Sequence, residues 1–264
     1  MSQGPKPKGS PPPLGAKESP GEMVGYGIDE HRTVYMLIIA GVLAVFVGLV
    51  VSGYTSTKQP EVARLGLLVG PAVGGLILAV AAALYWSSRL GKLREMEKLV
   101  SNIPFGGEEL VLDLGCGRGL GMVKTAAKLN TGVAIGVDTW QKSHLSGNDP
   151  KSIWVNAKAE NVLPKVAPIK AAPLSLPFLD KSIDVIVSGV AIHRIVKRKE
   201  RPALFKEMTR VLKEGGRVGI LDAGNGPEYS GMMKKNGLAD IEIHRLRFSA
   251  FPPFHVVMAR KPYG

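Results

Sequence analysis

Two stretches of this chain carry no charged residue for more than twenty positions each. They narrow its folding options more than any other feature. From Thr33 to Thr57, and again from Leu65 to Ser88, there is no Asp, Glu, Lys or Arg. At about 1.5 Å of rise per residue, either run as a helix crosses a hydrocarbon layer of about 30 Å. Buried core helices seldom stay uncharged for so long, so the expectation is a transmembrane helical hairpin over 33–88 with a short connector between Lys58 and Arg64. A cleaved signal peptide fits poorly, because a thirty-residue polar tail precedes the first run and no small-residue cleavage site is evident. Gly70, Gly74 and Gly75 with Pro71 would let two helices approach closely in lipid. Tyr54, Tyr85 and Trp86 sit near the run ends, where aromatic belts form. Basic residues flank the hairpin on its outer sides: Lys6, Lys8, Lys17 and Arg32 before it, and Arg89, Lys92, Arg94 and Lys98 after it. The connector carries only Lys58 and Arg64. By the positive-inside rule both termini are expected in the cytoplasm. The single cysteine, Cys116, excludes an intramolecular disulfide and agrees with a reducing compartment.

Residues 1–30 are rich in Pro, Gly and Ser and read as a disordered tail. Residues 89–107 read as a juxtamembrane helix and linker, and 108–264 as a separate domain. In that domain, strand patterns ("ELVLDLG", "GVAIGVD", "KVAPIKAA", "SIDVIVSG", "RVGILDAG") are interleaved with helix patterns. This alternation predicts an α/β fold with a mostly parallel sheet. The last two strand patterns, "DIEIHRLRF" and "PFHVVMARK", have no helix between them, so one strand at that edge is expected to run antiparallel.

The most specific stretch is "VLDLGCGRGLG", Val111–Gly121. Gly115, Gly117 and Gly119 give G-x-G-x-G, but Leu120 stands where the dinucleotide fingerprint needs its third glycine, and no Gly-Lys-Ser/Thr follows for a phosphate loop. A pyrophosphate cradle is therefore not favoured. Glycine still marks backbone that passes close to a ligand or adopts positive φ. Asp138, nineteen residues past Gly119 at the end of the next strand pattern, is placed to accept the hydroxyls of a ribose.

With these residues the sequence resembles the class I S-adenosylmethionine-dependent methyltransferases, over about residues 105–264. "VLDLGCGRG" resembles the family's first motif, "GVDTW" the second and "LSLPFLDKSIDVIVSG" the third. "LFKEMTRVLKEGGRVGILD" is similar to the helix, turn and fifth strand that close the family's core. The resemblance implies a Rossmann-like sheet and S-adenosyl-L-methionine as cofactor. It implies a cofactor site built from Asp113, Leu114, Gly115, Cys116, Gly117, Gly119, Asp138, Thr139 and Ser188. Asp138 would hold the ribose, and Thr139 would lie near the adenine. Leu176-Pro177-Phe178 and Asp180 would lead to Asp184 and the strand ending at Ser188-Gly189. One position departs from the family: Ala172 stands where an acid often binds the adenine amine.

For a general base, His193 is the better placed candidate and Tyr229 the weaker. A histidine merely packing a helix start is an equal alternative for His193. One cysteine and five histidines show no metal-ligand spacing. The run "HRIVKRKERP" and a net charge of +12 suit either an anionic membrane surface or nucleic acid. Without an aromatic platform or a nucleic-acid module, the membrane surface is favoured. Phe248, Phe251 and Phe254 would add apolar surface on the acceptor side. The resulting expectation is a membrane-anchored methyltransferase acting on a small, lipophilic or membrane-associated acceptor. A non-catalytic S-adenosylmethionine-binding scaffold and a tethered RNA or soluble-substrate enzyme are the alternatives.

Overall fold

The computed structural model describes residues 25–141, 145–224, 226–245 and 253–264. Two long antiparallel helices, α1 (His31–Thr55) and α2 (Pro60–Trp86), form a hairpin. Both are apolar on every side: Met36 and Leu76, for example, are 69% and 68% exposed. By length and composition each can cross a membrane. Glycines let the backbones meet. A Cβ on Gly48 would lie 2.6 Å from the Gly70 Cα, and one on Gly74 would lie 2.6 Å from the Gly41 carbonyl oxygen. Gly66, Gly70 and Gly74 thus form one small-residue stripe, spaced by four, against Gly41 and Gly48. Gly75, expected on this interface, has nothing within 4 Å of a built Cβ and lies off it.

The second helix does not end at the apolar run. It passes through one π-helical turn, Ser87–Gly91, into α3 (Lys92–Asn102), so that helix is continuous from Pro60 to Asn102. The juxtamembrane segment is therefore an extension of the second long helix, and only 103–109 remain as linker. α3 buries Met96, Leu99, Val100 and, just beyond its end, Ile103 in the core of the following domain.

That domain is a seven-stranded sheet in the order β3-β2-β1-β4-β5-β7-β6. The strands are β1 (Leu110–Leu114), β2 (Val133–Asp138), β3 (Val166–Lys170), β4 (Ile183–Gly189), β5 (Leu212–Asp222), β6 (Ala239–Arg245) and β7 (His255–Arg260). β1 to β5 are mutually parallel. β7 pairs antiparallel with both β5 and β6, so the reversed strand lies one place in from the edge. Nine residues separate β6 from β7, fewer than the dozen or more that a parallel crossover needs, so an antiparallel pairing of these two strands is favoured. Helices α4 (Leu120–Ala126), α5 (Lys151–Ala159), the short α6 (Ile192–Ile195), α7 (Arg201–Val211) and α8 (Gly226–Lys235) complete the chain. α7 stops at Val211 rather than running into "KEGG", which belongs to β5. Buried Val, Ile and Leu residues from the central strands, with Met96, Met122, Met208 and Met233 from the helices, fill two clusters of the core.

The last residues of the expected tail are packed. Residues 25–29 lie against the domain: Gly25 N–H donates to Asn156 (2.8 Å), Ile28 N–H to the Ser146 hydroxyl (2.7 Å), and Asp29 bridges to Leu145. Buried backbone must satisfy its polar groups, and here the domain supplies the partners. The rest of the tail, residues 1–24, lies outside the described residues, as do Phe248 and Phe251. Phe254 is buried in the core, where it presents no surface to an acceptor.

Candidate active site

The central strands end together, and the loops after them surround one cavity of about 290 Å³. Its wall comes from Gly115 to Arg118 after β1, Asp138 and Thr139 at the end of β2, Ala172 to Leu174 after β3, and Gly189 to Ala191 at the end of β4. In open α/β sheets this is where ligands bind.

Each glycine of the loop after β1 has a backbone reason. Gly115, Gly117 and Gly119 take φ of 73°, 51° and 86°, in the left-handed region. A Cβ on Gly117 would face the cavity side, 3.0 Å from a Leu145 methyl and 3.7 Å from the Asn148 side-chain oxygen. Asp138 fixes this loop: its carboxylate accepts from Gly117 N–H (2.8 Å) and Trp140 N–H (2.6 Å). The Trp140 indole N–H closes the circuit on the Gly117 carbonyl (2.9 Å).

Of the nine expected cofactor residues, Gly115, Cys116, Gly117, Asp138 and Thr139 line the cavity. Asp113, Leu114, Gly119 and Ser188 do not; they stand behind it. Asp113 accepts from Met122 N–H (2.7 Å) at the start of α4, and Ser188 donates to the Leu114 carbonyl (2.8 Å). Asp113 is fully buried, and desolvation pushes its carboxyl up to about 7, against the Met122 hydrogen bond that lowers it. Cys116 is buried and its thiol is also pushed up by desolvation, which suits a small wall residue rather than a nucleophile.

The expected bases are placed differently. Neither His193 nor Tyr229 lines the cavity. Both bind one carboxylate, Asp222 at the end of β5: His193 through Nδ1 and its backbone N–H (2.9 Å), and Tyr229 through its hydroxyl (3.0 Å). His193 Nε2 accepts from the Arg194 guanidinium at 3.0 Å, so both ring nitrogens are engaged. Tyr229 is 0% exposed beneath β5 and packs on Phe205, and burial holds its phenol protonated well above the usual range. Burial would raise the Asp222 carboxyl, but the His193 contact outweighs it and the carboxyl is held low.

Several wall residues were not anticipated. Tyr26 and Asp29, ahead of the first long helix, line the cavity, as do Lys92 of α3 and Arg194 of α6. Asp29 lies between the two cations, 2.8 Å from Lys92 Nζ and 3.0 Å from Arg194. Burial works against this carboxylate's charge, yet Lys92 and Arg194 leave it lowered; burial also lowers Lys92. Asn148 is 6% exposed and lines the cavity, and its side-chain oxygen is buried without a partner among the described residues. Val190, on the cavity wall, holds φ 55°, a strained conformation for a β-branched residue. The basic run is largely used internally: Arg194 pairs with Asp29, and Arg198 and Arg201 pair with Glu228 (3.2 Å each). Leu176 to Asp180, the third motif's loop, is held on α7 by Glu207 and Arg210 rather than facing the cavity.

Fold and cavity together define an open α/β domain whose cavity lies at the ends of its parallel strands, where such sheets bind ligands. A family model for a methyltransferase domain matches residues 112–220. Among curated proteins, the chain is 32% identical over 116 residues to a demethylmenaquinone methyltransferase of Roseiflexus castenholzii, covering 42% of this chain and 41% of that one. It is 32% identical over 115 residues to the chloroplastic 2-phytyl-1,4-beta-naphthoquinone methyltransferase of Arabidopsis thaliana, covering 43% and 41%. The chain thus spans less than half the length of these relatives. Among solved structures, geranyl diphosphate C-methyltransferase from Streptomyces coelicolor, in complex with S-adenosyl-L-homocysteine, superposes with a TM-score of 0.51 at 17% identity, over 64% of this chain and 78% of that one. Over residues 112–220 the chain is therefore similar to methyltransferase domains, and its fold is shared with a structure solved with S-adenosyl-L-homocysteine bound.

Proposed function

We propose that this chain is a membrane-anchored methyltransferase that moves a methyl group from S-adenosylmethionine to a small, lipophilic or membrane-associated acceptor, with both termini and the domain on the cytoplasmic side. One observation carries the reading. Lys92, on the cavity wall, lies four residues past Ser88, the last residue of the second uncharged run, on the same continuous helix. Four helical residues span about 6 Å, so the cavity stays beside whatever layer surrounds the hairpin. The apolar residues exposed all round α1 and α2 make lipid the fitting layer. The names of the matched relatives include methyltransferases of quinones, acceptors of the same lipophilic kind.

The residues present fit the cofactor. Gly117 leaves open the space that a side chain would fill, and the orphaned Asn148 oxygen offers an acceptor. In this assignment the Gly115–Gly117 backbone lies under the methionine part, Asp138 takes the ribose and Thr139 lies near the adenine. Asp113, Leu114, Gly119 and Ser188 brace the cradle from behind. Ala172 provides no acid for the adenine amine, and Asn148 is the nearest compensation in chemistry. When bound, the cofactor supplies an activated methyl on a sulfonium. The chain's own work is then to hold two reactants in line and exclude water. His193 and Tyr229 belong to the Asp222 cluster and orient the loop after β4; neither is assigned the base.

Labelled S-adenosylmethionine incubated with the full-length protein and with separate lipid and aqueous extracts tests the proposal. Label passing into the lipid fraction is the expected result. Transfer only to aqueous species overturns the lipophilic acceptor, and binding without any transfer overturns the enzyme reading in favour of a scaffold.

A further inference from the structure

Building on the reading of the cavity as the cofactor site, we propose that residues 25–30 form a strap over that site. It is latched by Asp29 between Lys92 and Arg194, and the latch must open for the cofactor to enter and leave. The strap ties together parts of the domain that are otherwise distant. Gly25 bonds Asn156 on α5, the Tyr26 hydroxyl donates to Glu160 (2.5 Å), Ile28 pairs with Ser146, and Asp29 N–H reaches Ser88 (3.3 Å). Lys92 Nζ holds the strap backbone as well, at the carbonyls of Tyr26 (3.0 Å) and Gly27 (3.1 Å).

Among the described residues, the Leu145 side chain touches both the strap and the cradle. A Cβ on Gly27 would lie 2.9 Å from one methyl of Leu145, and a Cβ on Gly117 would lie 3.0 Å from the other. Leu145 is thus sandwiched between strap and glycine loop, and lifting the strap uncovers the loop's ligand side. Gly27 takes φ 72°, and its Cβ would also meet the Ser146 carbonyl at 2.7 Å, so the strap seats only with glycine there.

The latch is made of buried or half-buried groups. The side chains of Lys92, Arg194 and Asp29 are 5%, 9% and 14% exposed. Removing one partner leaves an uncompensated charge inside the protein, which is far costlier than losing a surface pair. Both ends of the latch hang on the hairpin: Asp29 lies two residues before α1, and Lys92 opens the continuation of α2. Glu30, at φ 50°, makes the turn between strap and helix. Movement of α1 against α2 is therefore transmitted to the roof of the cavity.

The test uses the full chain in lipid nanodiscs loaded with tritiated S-adenosylmethionine and chased with excess unlabelled S-adenosylhomocysteine. Asp29→Asn and Gly27→Val are expected to release label at least tenfold faster than the wild type. Glu61→Gln, whose carboxylate pairs with exposed Arg64 at the hairpin turn, is expected to match the wild type. Ile28→Cys with Ser146→Cys adds a reversible lock. The antiparallel bridge beside these residues puts opposed Cα atoms about 4.5–5.5 Å apart, within disulfide range. The oxidised pair is expected to retain bound label and to exclude it from empty protein, and a reductant is expected to reverse both effects. Wild-type exchange rates in all of these variants overturn the strap as a gate and leave it a structural tie. Failure of the wild type to bind the label removes the cofactor reading, and this inference with it.

Discussion

The Asp138 carboxylate receives the Gly117 backbone N–H at 2.8 Å, so the acid assigned to the ribose also shapes the loop assigned to the methionine part. Substitutions at the two positions therefore differ in kind. Gly117→Val forces a β-branched residue to φ near 51° and places a side chain in the cavity. Calorimetry is expected to show no cofactor binding, with circular dichroism unchanged. Asp138→Asn keeps an acceptor for Gly117 N–H but loses the charge, whereas Asp138→Ala loses both. Affinity is expected to fall in that order, with the alanine variant losing about 1.5–3 kcal/mol, the range for hydrogen bonds to a charged group. Equal losses from both substitutions would show that Asp138 does not organise the loop.

Asp113 gives the domain a pH dependence of defined sign. Its carboxyl is raised from an unfolded value near 3.8 to about 7, so the folded chain binds the extra proton between those values and stability falls as pH rises through that window. Asp29 and Asp222 are lowered instead, and their contributions are lost only in acid below about 3.8, outside the range compared here. Asn at 113 can still accept from Met122 N–H and carries no titrating group. The wild type is expected to lose on the order of 2 kcal/mol relative to Asp113→Asn between pH 5 and pH 7. Parallel melting curves at the two pH values for wild type and variant would exclude this assignment.

The sheet was legible because four of the five parallel strands, all but β3, are apolar runs that end at or just before a glycine or an acid, and the ends of β1, β2 and β4 carry the cradle. Gly115, Gly117 and Asp138 were marked by their spacing, and Thr139 by the family resemblance; all four line the cavity. Contacts made by folding distant segments together were not legible. Asp222 lies twenty-nine residues from His193, and its capture of the imidazole needs β4 and β5 side by side. Arg194 read as part of a solvated basic run, because its partner Asp29 is 165 residues away in a stretch whose composition looks like tail. Asn148 gave no signal at all, since an orphaned oxygen is defined only by what fails to surround it. Gly70 and Gly74 were marked in the sequence and Gly66 was not, because which glycines face the partner helix depends on the pairing.

That pairing makes a sharp comparison possible within one helix. Gly70→Leu places a side chain against the Gly48 Cα, from which even a Cβ would be 2.6 Å away, whereas Gly75→Leu points into open space. In detergent, the Gly70 variant is expected to lower the melting temperature and to expose α1 to proteolysis. The Gly75 variant is expected to behave as wild type. Equal tolerance at both positions would mean that the hairpin is not held by close glycine packing.

The last prediction concerns sidedness, on which the cofactor supply depends. Ser56 caps α1 at the turn between the two long helices, away from the methyltransferase domain. With both termini cytoplasmic, a cysteine at Ser56, in a Cys116→Ala background, is expected to react with an impermeant maleimide added outside intact cells. A cysteine at Ser10, in the N-terminal tail, is expected to react only after lysis. The flanking charges favour this orientation, with Arg89, Lys92, Arg94 and Lys98 on the domain side and only Lys58 and Arg64 in the connector. The internal ion pairs temper the argument, because Lys92 is neutralised by Asp29 and Lys98 pairs with Glu95. Arg89 and Arg94 remain on the domain side together with Lys6, Lys8, Lys17 and Arg32 of the tail, and converting Arg89 and Arg94 to glutamine is expected to raise the minority of inverted molecules detected by the same labelling. Labelling at Ser10 but not at Ser56 in intact cells would put the cavity on the side where S-adenosylmethionine is scarce, and the enzymatic proposal would fall with the topology.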